Sequence, residues 1–250
     1  MTTKSERIAA DLRDEITQHR RQPGSRMPSE PELMETYGVS RTTARAAMAI
    51  LAREGLVASE SGRGWIVREY APLRWPMSIF EGRQHHESVA GGSMDAWSTE
   101  VARHGRKPDE MIELAMVIPP PRVAERLQVS DKHLVVVRKR IRYVDGVPYQ
   151  LADSYFPEEL VRGTPLMEPR SVAAPGGVLA SIGRPQKRYI DEILVRMPTP
   201  EEAARLSLPT GTPVAEVTRT GYSADGTPLR VMVSVAPGDR NVLVYELDAD

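Results

Sequence analysis

The stretch Tyr37-Gly38-Val39-Ser40-Arg41-Thr42-Thr43-Ala44-Arg45-Ala46-Ala47-Met48 decides how the first third of this 250-residue chain folds. Ser40 offers a side-chain oxygen suited to a helix N-cap, where backbone N–H groups lack partners inside the helix. A helix over Arg41 to Arg53 is predicted, because Ala44, Ala47, Met48 and Leu51 recur at the spacing of one buried face. The opposite face carries Thr42 and the pair Arg41 and Arg45, which are neighbours at a four-residue spacing. Small residues (Thr43, Ala46, Ala49) surround them, so this face can enter a major groove without obstruction. Gly38 supplies the left-handed residue that ends a preceding helix, predicted over Glu30 to Tyr37. Ser29 and Glu32 have the spacing of a capping box there, and Pro31 falls in the first turn, where a missing N–H is harmless. Further upstream, Ile8, Leu12 and Ile16 line one face of a helix within Lys4 to His19, broken at Gln22-Pro23-Gly24-Ser25.

Downstream, Gly55 stops the third helix, Leu56 and Val57 begin a strand, and Trp65-Ile66-Val67 make its return. Between them Ser61-Gly62-Arg63-Gly64 forms a hairpin tip able to approach a minor groove or adjacent phosphates. Taken alone, Arg41 and Arg45 read as a solvated helix face. In register with cap, turn and wing they read as a recognition helix, with arginine forks for guanine edges and hydroxyls for phosphates.

Four blocks in this order, P-S-E-x-E-L from Pro28, Y-G-V-S-R-T-T-A-R-A-A-M from Tyr37, L-A-R-E-G-L-V from Leu51 and S-G-R-G-W-I-V from Ser61, resemble the winged helix of GntR-type bacterial transcription regulators. The resemblance implies that Ser40, Arg41, Thr42, Thr43, Arg45 and Gly62 contact an operator. With the cap and wing residues, the expected DNA-binding set is Ser29, Glu30, Ser40, Arg41, Thr42, Thr43, Arg45, Gly62, Arg63 and Gly64. Many members have a base-reading arginine where this chain has Pro31, which places more of the readout on Arg41 and Arg45.

The formal net charge of -1, from 33 basic and 34 acidic residues, excludes a uniformly basic nucleic-acid coat. Residues 1 to 70 hold 11 basic and 10 acidic groups, 71 to 142 hold 12 and 9, and 143 to 250 hold 10 and 15. Any DNA contact must therefore use a local patch on the N-terminal side. The absence of cysteine rules out disulfides, a thiol nucleophile and Cys-ligated zinc. The longest aliphatic run, Leu134 to Val137, is far too short to span a bilayer, and the acidic N-terminus is no secretory signal. No membrane association, no cofactor and a cytoplasmic location are expected.

Arg68 to Gly92 lacks periodicity and reads as a connector; its His85-His86 pair makes no metal site, because adjacent side chains diverge. The expected division is 1–69 winged helix, 70–92 linker and 93–250 second domain. From about Asp109 one plan occurs twice. Ala124 to Leu127 leads to a strand Leu134 to Tyr143, the turn Asp145-Gly146 and a strand Pro148 to Phe156. Ala203 to Leu206 leads to a strand Val214 to Tyr222, then Asp225-Gly226 and a strand Pro228 to Val235. Asp-Gly between strands is a hairpin signal, so the class is α+β: an antiparallel sheet with helices on its surface, completed by a last strand Asn241 to Leu247.

Arg140 to Pro148, Ser154 to Pro157, Gly176 to Leu179, Arg196 to Ala203 and Asp225 to Pro228 resemble the UTRA ligand-sensing domain of the HutC branch of GntR regulators, with its chorismate-lyase-like fold. The resemblance implies a homodimer and an operator affinity controlled by a small-molecule effector. Arg138, Arg140 and Arg142 share a sheet face and can grip an anionic or polar ligand, or pair with acidic neighbours such as Asp153 or Glu216. The expected effector-binding set is Arg138, Arg140, Arg142, Asp153, Tyr155, Gly177 and Arg230. Members that bind sugar phosphates tend to have acidic residues where this chain has Ala152 and Arg230, so an amino-sugar effector is not carried over. Trp97, Tyr155 and Phe156 read as pocket lining or core. Trp75-Pro76-Met77 resembles actinobacterial plasmid-transfer repressors within the branch. The partners expected are double-stranded operator DNA as an inverted repeat, an effector and a second copy. A repressor is expected, with a chorismate-lyase-like enzyme and a DNA-binding dimer without effector as alternatives.

Overall fold

The computed structural model describes residues 3–60, 62–68, 72–78, 95–172 and 177–247. Two compact units result, Met1–Ala71 with Leu208–Pro213, and Pro72–Ser207 with Val214–Asp250.

The first unit contains α1 (Lys4–Thr17), α2 (Glu30–Tyr37), α3 (Arg41–Arg53), β1 (Val57–Glu60) and β2 (Gly64–Val67). Helices α2 and α3 have the boundaries the sequence predicts, because each carries its own stop and start signals. Ser29 accepts from the Glu32 N–H and Glu32 reaches back to the Ser29 N–H, while Ser40 accepts from the Thr43 N–H. Gly38 ends α2 at φ 58°, a region that costs other residues strain. Ile8, Leu12, Leu33, Ala44, Ala47, Met48, Leu51, Val57 and Val67 close one core. Gly24 to Met27 run beside β2, with Met27 N–H donating to Trp65 O at 2.8 Å and Gly24 N–H to Val67 O at 2.9 Å. Ser29→Ala is expected to cost about 1 kcal/mol by loss of the cap, seen as a lower denaturation midpoint at unchanged slope.

The second unit is built on a six-stranded antiparallel sheet of β4 (Pro108–Val117), β5 (Val135–Val144), β6 (Val147–Pro157), β7 (Arg188–Arg196), β8 (Val214–Tyr222) and β9 (Pro228–Pro237), in the order β4-β5-β6-β9-β8-β7. The twofold plan is present: a strand, a short helix and a hairpin, α5 (Pro121–Leu127) in the first copy and α7 (Pro200–Arg205) in the second. Asp145 and Gly146 both have positive φ, 51° and 79°, the geometry of a two-residue hairpin turn. The outer strands β4 and β7 were not anticipated. Their mixed charged and apolar residues follow no clean alternation, since an edge strand is paired on one side and only partly covered. Helix α4 (Ala96–Arg103), the short α6 (Glu158–Val161), β3 (Leu73–Pro76), β10 (Asn241–Val244) and two 3-10 turns, Pro165–Met167 and Ala180–Ile182, are the other regular elements among the described residues.

Two expectations are corrected. Leu73–Pro76, read as linker, is a strand of the second unit, and its partner is Asn241–Val244, in parallel. The last strand therefore does not extend the main sheet but forms a two-stranded one with β3. Leu73 and Trp75 are buried there with Trp97, Val101, Val144 and Tyr149, which provides the reason: this edge is held by an apolar cluster. Residues 79–94, including His85-His86, and Ser61 lie outside the described residues.

Candidate functional site

In the winged unit, α3 presents Arg41 and Arg45 with side chains 71% and 65% exposed. Both reach back to Glu30 on α2, Arg41 Nε at 2.5 Å and Arg45 Nε at 3.0 Å. The hydrogen bonds from Arg41 and Arg45 hold the Glu30 carboxyl below its ordinary range. Glu30 thus gathers the two forks on one side of the helix. Thr42 is exposed beside them, while Thr43 is half-buried and bonded to Ser40, so part of its hydroxyl capacity belongs to the cap. Ser29 is engaged in the capping box of α2. At the wing tip Gly62, Arg63 and Gly64 are exposed, and the Arg26 guanidinium lies next to Gly64. Arg26 was missed in the sequence, because only the pairing of its segment with Ile66 brings it to the wing.

In the second unit, the even-numbered residues of β5 and the residues opposite them define one sheet face. Across it run Glu110 on β4, Arg138, Arg140 and Arg142 on β5, Ser154 on β6, Met232 and Ser234 on β9, Arg219 on β8 and Asp191 on β7. Arg138, Arg140, Arg142, Arg219 and Arg230 are all buried. Arg138 is committed to structure: its guanidinium donates to the carbonyls of Leu166, Glu168 and Arg170 at 2.6–2.7 Å. Arg142 donates to Asp95 at 3.1 Å and Gln150 at 3.2 Å and lies 5.0 Å over the Trp97 ring. Arg140 donates to Ser154 Oγ at 3.4 Å and has Glu110 at 3.7 Å, too long for a hydrogen bond. Burial first, and then the charge of Arg142, push Arg140 down to about 9, still charged at neutral pH. Burial acts to raise Asp95, but the charge of Arg142 and the Ser98 N–H outweigh it and leave the carboxyl low.

The remaining expected effector residues divide. Asp153 and Tyr155 stand on the opposite face of β6 from the arginines, since successive side chains alternate and Ser154 is the residue opposite Arg138. Tyr155 packs with Val123, Leu127, Val135 and Val137. Burial pushes Asp153 up and Tyr155 up to about 12. The acidic neighbours of the arginines are Glu110 and Asp95, not Asp153 or Glu216, which instead pairs with Arg196 at 2.6 Å. Gly177 is buried at positive φ beside residues 173–176, which lie outside the described residues. Phe156 is core. Trp97 is buried, stacked on Trp75 and beneath Arg142. Glu110 and Asp95 lay outside the sequence reading because β4 was not recognised and Asp95 reaches the arginines only through α4, which it caps.

The chain matches the family model of bacterial regulatory proteins, gntR family, over residues 4–67 and that of the UTRA domain over 104–241. It is 30% identical over 231 residues to an uncharacterised HTH-type transcriptional regulator of Streptomyces coelicolor, covering 90% of this chain and 85% of that one. It is 26% identical over 246 residues to the HTH-type transcriptional repressor NagR of Bacillus subtilis, covering 96% and 93%. The crystal structure of PhnF from Mycobacterium smegmatis has the same fold, with a TM-score of 0.59 at 22% identity and coverage of 97% and 100%. The plasmid-transfer resemblance of Trp75-Pro76-Met77 has no counterpart in these relatives' names. No described helix is long and apolar enough to cross a membrane. With one family model matched across the winged helix and the other across the arginine-bearing sheet, the chain belongs to the GntR family of DNA-binding transcription regulators with a UTRA ligand-sensing domain.

Proposed function

We propose that this regulator is a homodimeric, cytoplasmic repressor that binds an inverted-repeat operator and is released by an anionic small molecule held at Arg140, Arg142 and Arg230. The observation that carries the effector class is a charge imbalance. Among the described residues, Arg138, Arg140 and Arg142 are buried on one sheet face, and the carboxylates paired with them are Glu110 and Asp95. Buried cations without matching anions are costly, so a doubly charged carboxylate or phosphate ester would be stabilised there. Among the described residues, Glu110 Oε2 and the Nε atoms of Arg140 and Arg142 have no hydrogen-bond partner, which leaves acceptors and donors for a polar ligand.

Residues 1–69, with Ser29, Glu30, Ser40, Arg41, Thr42, Thr43, Arg45, Gly62, Arg63 and Gly64, constitute the DNA-reading part of this proposal, and the chain from 93 onward the sensing and dimerising part. Edge strand β7 supports the second copy: Ile190, Ile193, Leu194 and Val195 are exposed on it, Val195 by 70%, with Met197 just beyond. Such an apolar edge is normally covered. Two α3 helices related by a two-fold axis would then meet successive major grooves about one helical turn apart.

In a thermal-shift series, inorganic phosphate or pyrophosphate is expected to raise the melting temperature, because a ligand that binds only the native state stabilises it. Arg140→Ala is expected to abolish that rise. An equal rise in the variant, or none in the parent protein with any dianion, contradicts the site. The proposal includes no catalysis, so turnover of chorismate by the purified protein contradicts it.

A further inference from the structure

The indole of Trp97 touches two groups that belong to different parts of the fold. One is Arg142, whose guanidinium carbon is 5.0 Å from the Trp97 ring centroid. The other is Trp75, stacked at 5.9 Å between centroids and 14° between planes. Trp75 belongs to β3, the strand that follows the winged unit after residues 69–71, so its position is covalently continuous with the DNA-binding part. We infer that the Arg142–Trp97–Trp75 stack is the coupling element of this regulator, carrying occupancy of the arginine site into the strand that leads to the winged helix. The inference rests on the anion-site reading above.

Three features favour a mechanical connection. Trp97 is 1% exposed and Trp75 5%, so neither ring can move without displacing its neighbour. Among the described residues the Trp97 Nε1 donor has no partner, although it is buried, which leaves it available to an acceptor brought in by a ligand. Arg142 is also held by Asp95, the N-cap of the helix that carries Trp97. A ligand that draws Arg142 toward itself would therefore loosen the cap and the stack together. From Trp75 onward the strand and the residues after it are tied down at several points. Trp75 Nε1 donates to Asn241 Oδ1 at 2.6 Å, Arg219 donates to Met77 O at 3.0 Å, and the Tyr189 hydroxyl donates to Ser78 O at 2.5 Å. The strand is thus held at its far end, so a shift at Trp75 is not absorbed by slack in that direction.

The test uses the full-length protein, DNA selected by it from a genomic library, and inorganic phosphate as the probe, with chloride at equal ionic strength as control because salt alone weakens DNA binding. In the parent protein phosphate is expected to raise the melting temperature and to weaken operator binding about tenfold beyond the control. Trp75→Phe keeps apolar bulk but alters the stack. It is expected to keep the phosphate-induced melting shift and the phosphate-free operator affinity, while losing the phosphate effect on DNA. Asn241→Ala, which releases the Trp75 indole N–H, is expected to act in the same direction, and serves if Trp75→Phe does not fold. Parent-like weakening of DNA binding by phosphate in both variants overturns the coupling role and leaves the site standing. No melting shift in the parent protein overturns the anion site, and the coupling role with it.

Discussion

Arg45→Ala is expected to abolish specific operator binding, lowering affinity for selected DNA about 100-fold or more, without changing the melting temperature. The side chain is 65% exposed and Glu30, its carboxylate partner among the described residues, retains Arg41, so nothing in the core depends on it. A bidentate guanine contact contributes about 1–3 kcal/mol of discrimination, and a dimer would use it at both half-sites. The near-neutral winged segment makes the effect larger in proportion. With 11 basic and 10 acidic groups in residues 1 to 70, phosphate attraction supplies little sequence-independent binding to fall back on. Gel-shift titration against selected and random DNA, with thermal denaturation alongside, measures both halves of the expectation. Undiminished specificity would remove α3 as the reading element.

The second large effect is structural. Asp191→Ala is expected to destabilise the protein by about 3–5 kcal/mol, because it strips a buried guanidinium of its carboxylate. Arg219 is 1% exposed and donates to both Asp191 oxygens at 2.6 Å, with the Tyr189 ring 4.2 Å from its guanidinium carbon. The Tyr245 hydroxyl donates to the same carboxylate at 2.7 Å, and burial followed by that hydrogen bond pushes the phenol up. The comparison is Glu54→Ala, which removes the exposed Arg13 pair and is expected to cost less than about 1 kcal/mol. Urea unfolding of the two variants side by side distinguishes them. Equal losses would mean that the Arg219 pair is not the desolvated tie its burial indicates.

Both sites were partly legible in the residues, and the limit lies in the range of the interactions. Helices α2 and α3 were readable to the residue, because Ser29, Glu32, Gly38 and Ser40 act on backbone groups a few positions away. The two hairpins were readable for the same reason, since Asp145-Gly146 sets its own turn. The alternation of Arg138, Arg140 and Arg142 correctly put three cations on one face. Their partners were not readable. Asp153, one of the neighbours the sequence offers for the arginines, stands one residue off the required parity on β6.

What the sequence by itself determined, then, is the pair of domains, the capped recognition helix and the row of arginines, all of which follow from hydrogen bonds and side-chain periods within a few residues. Only the tertiary structure decided which carboxylates face those arginines, that Glu30 gathers Arg41 and Arg45, and that Leu73–Pro76 joins Asn241–Val244 across most of the chain length. Strand order and register are settled by which apolar faces bury together, a property of the whole assembly that no local spacing contains.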